Sequence, residues 1–185
     1  MDVKRFRRFY NDANGVPRVA RELHRAFREV AMPKRNGSSH LLESLASGMA
    51  GAAALTAVHE AGRKLVPDAP RMDIYARRVA ARGMELAGVQ PPGANAMHAL
   101  TLVGDLITNG LFYALVLRGT RQGAADRSIL AGALAGIGGV FLPPLLGLGR
   151  KPSNATHRTQ LMTIAYYTLG GLAAATVFRA AAGKK

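Results

Sequence analysis

The chain has 185 residues, 49% of them hydrophobic, with 25 lysines and arginines against 11 acids and no cysteine. The missing cysteines exclude disulfides, thiolate metal sites and cysteine nucleophiles. A net charge of +14 invites nucleic acid as a partner, but no nucleic-acid-binding module is present and the basic residues flank apolar runs, so anionic lipid headgroups are the expected partner.

Residues 1–37 read as a basic amphipathic segment. After a turn at Asn14-Gly15, Val16, Val19, Leu23, Phe27 and Val30 recur at helical spacing, with Arg18, Arg21, Arg25 and Arg28 on the opposite side. Such a helix is expected at headgroup level with its arginines on lipid phosphates; the same pattern also suits a helix packed on a soluble partner. The first apolar run starts only near position 41, poor geometry for a cleaved signal peptide, so the segment is expected to be retained.

Residues 38–185 read as an all-α, four-span transmembrane bundle, with spans at about 41–60, 96–117, 128–148 and 159–179, since a bilayer core needs roughly 20 apolar residues at helical rise. The first span is the least hydrophobic and is dense in small residues, Gly48 and Gly51 among them. It is expected to rely on close helix packing, or else to cross only halfway. His59 and Glu60 near its end read as interfacial charges, about 100° apart on a helix and without a shared ligand face. A second amphipathic helix is predicted over 72–89, with Arg77, Arg78 and Arg82 facing lipid headgroups.

The second span holds one acid. Asp105 shares a helical stripe with His98, Thr101, Thr108 and Asn109. A carboxylate in hydrocarbon costs several kcal/mol, roughly, unless it is neutralised or solvated, so Asp105 must face inward. It then either fixes helix register through hydrogen bonds or serves as a proton or ion group in a pathway.

The third span carries Gly132-Ala-Leu-Ala-Gly136, a small-xxx-small packing pattern. Pro143 and Pro144 remove backbone donors near its end and predict a kink or early unwinding unless neighbours satisfy the freed carbonyls. Asn154-Ala-Thr156 matches a glycosylation acceptor, by chance as easily as by function. In the fourth span Tyr166 and Tyr167 read as core packing.

Four spans put both termini on one side. The N-terminus, second connection and C-terminus hold sixteen lysines and arginines against nine in the other two connections. The excess of positive charge predicts cytoplasmic termini.

Ile129-Leu-Ala-Gly-Ala-Leu-Ala135 followed by Pro144-Leu-Leu-Gly-Leu148 resembles the corresponding helix of the YagU-like family of small bacterial inner-membrane proteins. The chain departs from that family's mid-helix histidine, having Gly136-Ile-Gly-Gly-Val140 there. The resemblance implies a helical inner-membrane protein tied to acid response. No catalytic or metal-binding constellation stands out, and no cofactor is expected. The first expectation is a non-enzymatic structural or accessory subunit whose small-residue faces (Gly48, Gly51, Gly132, Gly136) bind further copies or a larger membrane complex. The alternative is a small-solute, ion or proton permease centred on Asp105. A membrane-embedded enzyme is the weakest reading.

Overall fold

The computed structural model describes residues 38–181, which form helices and no strand. In chain order these are α1 (Ser38–Leu65), α2 (Met72–Leu86), α3 (Ala94–Leu117), α4 (Ala124–Leu145), the short α5 (Lys151–Asn154) and α6 (His157–Ala180). The N-terminal segment with Arg18, Arg21, Arg25 and Arg28 lies outside the described residues.

Helices α1, α3, α4 and α6 are each long and apolar enough to cross a membrane, and they coincide with the four predicted spans. At 28 residues α1 has the length to cross in full. This is the architecture of a small multi-pass membrane protein. Its outward faces carry exposed Val103, Ile107, Leu111 and Leu115 on α3, Leu134, Ile137 and Phe141 on α4, and Leu161, Leu169 and Leu172 on α6. Apolar side chains facing outward along these three spans suit lipid, not water.

Sequential spans run antiparallel, with α1 packed between α3 and α6, and α4 packed on α6. Glycines set these contacts. A Cβ on Gly48 would lie 2.6 Å from the Ala114 nitrogen on α3, and one on Gly51 2.6 Å from the Gly170 carbonyl oxygen on α6. On α4, a Cβ on Gly132 would meet the Tyr167 carbonyl oxygen at 2.5 Å and one on Gly136 the Ile164 Cα at 2.5 Å. Backbones this close gain dispersion contacts that larger side chains would prevent. The four glycines singled out in the sequence thus join helices of this chain to one another. Between α3 and α6, fully buried Tyr113 donates its hydroxyl to the Tyr167 carbonyl at 2.7 Å.

Helix α4 continues through both prolines to Leu145 and stops three residues short of the predicted end. The carbonyls that Pro143 and Pro144 leave without helical donors are those of Gly139 and Val140, four residues earlier. Ser153 Oγ donates to Gly139 at 2.7 Å and Asn154 Nδ2 to Val140 at 3.3 Å. With both acceptors satisfied by α5, the helix has no reason to unwind. Asn154 is accordingly buried, and its Oδ1 accepts from Gln160 Nε2 at 2.6 Å. The glycosylation match therefore falls on an inward-turned side chain.

Helix α2 is tied to the same end of the bundle. Its Tyr75 is buried and donates to the Gly149 carbonyl at 2.8 Å, in the connection after α4. Arg77 hydrogen-bonds Asp73, Arg78 donates to the Leu148 carbonyl, and Arg82 lies 3.5 Å from Glu85. Arg78 and Arg82 are exposed, Arg82 at 71% of its side chain, and Arg77 is half-buried. The other end is closed by Arg121 in the α3–α4 connection, which pairs with Glu43 of α1 and donates to the Phe178 carbonyl of α6 at 2.6 Å.

Candidate functional site: a polar cleft at one end of the bundle

Where α1 ends and α3 begins, the helices part around a cleft of about 510 Å³, its open mouth included. Each wall comes from a different element. Helix α1 supplies Thr56, His59, Glu60 and Arg63, which recur at i, i+3, i+4 and i+7 and so share one face. Helix α3 supplies His98, Thr101 and Asp105 by the same spacing, α2 contributes Met72 and Asp73, and Tyr167 of α6 closes the inner side.

The deepest acid is Asp105. Asn109, one turn further along α3, donates its amide to Asp105 Oδ1 at 2.9 Å and to the Asp105 carbonyl at 3.0 Å. No lysine, arginine or histidine among the described residues forms an ion pair with it. Thr101 is buried and donates its hydroxyl to the Met97 carbonyl at 2.9 Å, which leaves oxygen lone pairs for the cleft.

The remaining charges at the mouth are balanced locally. Arg63 donates from Nε to Glu60 Oε1 at 2.7 Å, with a second bond to Oε2. Asp73 accepts from Arg71 Nε at 2.9 Å and Nη2 at 3.0 Å, and from Arg77. Burial alone would push Asp73 up, but the Arg71 hydrogen bond and the charges of Arg71, Arg77 and Arg63 outweigh it and hold the carboxyl below the usual carboxylate range.

Beside these pairs sits a polar group without a partner. Neither ring nitrogen of His59 is hydrogen-bonded among the described residues, nor is Thr56 Oγ1, although all three atoms are buried. An imidazole always offers at least one N–H donor, and leaving such a group unmatched costs about 1–3 kcal/mol. The ring is held edge-on to Tyr166 and Tyr167, with centroids 5.0 and 6.0 Å away.

The structure therefore brings together four of the five stripe residues, with His98, Thr101 and Asp105 on the cleft and Asn109 behind it. Thr108 stands apart. Its hydroxyl donates to the Gly104 carbonyl at 2.8 Å on the exposed side of α3, because one residue of helical rotation, about 100°, separates it from buried Asn109. Sequence reasoning missed His59 and Glu60, which line one cleft together despite their angular separation, since the cleft wraps around that face of α1. The signal was available: the polar residues at 56, 59, 60 and 63 repeat the pattern noticed on α3. Among the described residues no group of three histidines, cysteines or acids is placed to hold a metal ion.

No family profile, curated protein or solved structure matches the chain.

Proposed function

We propose that the protein binds a small polar solute or ion in this cleft and passes it toward the bundle interior, with Asp105 as the innermost ligand-binding group. The observation that carries the reading is the convergence, inside apolar spans, of an Asp105 carboxyl without a cationic partner and of His59 and Thr56 atoms without any partner. Buried polar groups are ordinarily satisfied, and those that are not mark places where a ligand or water completes the site.

An accessory-subunit role drew its motive from glycine faces free to receive another chain. Gly48, Gly51, Gly132 and Gly136 are occupied by neighbouring helices of the same chain. Further copies or partners would then have to meet the outward leucine faces. The sixteen-to-nine distribution of basic residues supports cytoplasmic termini, and a bacterial inner membrane rests on the third-span resemblance alone. The cleft would then open on the opposite face.

The test is flux into proteoliposomes for a panel of solutes (methylammonium, acetate, urea and protons), comparing wild type with Asp105→Asn. Flux of at least one solute, lost in the variant while its helicity and melting persist, is expected. Equal rates in wild type, variant and protein-free vesicles for every solute would overturn the reading.

A further inference from the structure

The reading above leaves the chemistry of the solute open, and the wall of the cleft narrows it. We propose that the occupant is a small organic cation, an alkylammonium whose charged nitrogen meets Asp105 and whose apolar part lies against Tyr167 and Leu102. This rests on the proposed binding role of the cleft.

Charge comes first. Histidine aside, the charged liners are Glu60, Asp73 and Asp105 against Arg63. Glu60 uses both carboxylate oxygens on Arg63, and Asp73 uses both on Arg71 and Arg77, so these groups are already compensated. Asp105 has only the neutral Asn109 amide. A carboxylate in a low-dielectric site is held far better by a counter-cation than by one amide hydrogen bond. An anionic occupant would find its one guanidinium, Arg63, engaged by Glu60 and would face Asp105 at close range.

The kind of cation follows from the rest of the wall. A bare metal ion needs several oxygen ligands at once, and among the described residues no three acids or histidines are placed to hold one together. What lines the same cleft as Asp105 instead is Tyr167, the His59 ring, Leu102 and the flexible Met72. Aromatic faces attract a cation that carries a hydrocarbon shell, and apolar walls reward burying that shell. The nitrogen can also donate to Thr101 Oγ, whose own proton is committed to the Met97 carbonyl. An alkylammonium offers the charge, the N–H donors and the apolar body that this wall asks for.

Equilibrium binding to the purified full-length chain in mild detergent, at constant sodium chloride, tests the class with methylammonium, acetate and urea as probes. Methylammonium is expected to bind at least about tenfold more tightly than either of the others. Asp105→Asn should weaken it by about tenfold or more, the scale of one charge-assisted hydrogen bond, while Asp105→Glu retains most of the affinity. Wild-type selectivity needs no variant, so the test survives a folding defect. If acetate or urea binds more tightly than methylammonium, or all three bind alike, the cation class is overturned while a binding cleft stands. If none binds and none crosses in proteoliposomes, both readings fall together.

Discussion

The Ser153 hydroxyl donates to the Gly139 carbonyl across 2.7 Å, and Gly139 is the residue whose carbonyl Pro143 deprives of its helical N–H. Removing the hydroxyl by Ser153→Ala leaves a buried acceptor unmatched and should cost about 1–3 kcal/mol. Thermal unfolding in mild detergent reads it. The double variant Pro143→Ala/Ser153→Ala should lose less than Ser153→Ala alone, because Pro143→Ala returns an N–H to that carbonyl. Equal losses in the single and double variants would show that the hydroxyl serves something else.

The glycines of α4 make a second contrast. Gly136→Ala puts a methyl 2.5 Å from the Ile164 Cα, a backbone atom that cannot step aside without parting α4 from α6. Overpacking of this kind costs about 1–3 kcal/mol. Gly83→Ala, inside α2 with nothing within 4 Å of the new methyl, should instead raise stability by roughly 0.5–1 kcal/mol through helix propensity. Melting of the two variants in parallel should therefore shift in opposite directions.

Arg121 holds the far end of the bundle together. Its guanidinium pairs with Glu43, donates to the Phe178 carbonyl at 2.6 Å and lies 4.8 Å from the Phe178 ring centroid. Arg121→Ala strips both acceptors at once and should cost about 2 kcal/mol. Arg121→Lys should recover only part of that, because an ammonium cannot reproduce the planar fork that spans two acceptors and a ring. Full recovery by lysine would reduce the contact to simple charge.

Asp73 gives the fold a dependence on acid. Its carboxyl titrates lower in the folded chain than its ordinary value of about 3.9. Its ion pairs therefore contribute in full above about pH 4, and the contribution is lost as the pH falls through the lowered folded value. Both arginines are more than a third exposed, so solvent screening leaves about 1 kcal/mol for Asp73→Asn to remove. Melts should show a constant gap between wild type and variant from about pH 7 to pH 4 that closes at lower pH. A gap unchanged in strong acid would remove the carboxylate from the account.

Much of this was legible along the chain. The spans follow from apolar runs of bilayer length, and their bounds shift by only a few residues in the structure. Asp105 was found because a lone acid in an apolar run has few places to point, and Asn109 and Thr101 follow it at helical spacing. Thr108 was misjudged because a stripe drawn from i, i+3 and i+4 spacing is wider than the face a neighbour covers. His59 was passed over because its position near a helix end matches an ordinary interfacial residue.

The sequence by itself determined the spans, the inward acid and the closeness of the helices, since hydropathy, charge cost and glycine size are local properties of the chain. Only the tertiary structure decided which helices those glycines join and that α5 repairs the proline gap in α4. It alone brought His59, Asp105 and Tyr167 from three helices to one cleft. Those are relations between residues tens of positions apart, and no local propensity encodes the pairing of one helix face with another.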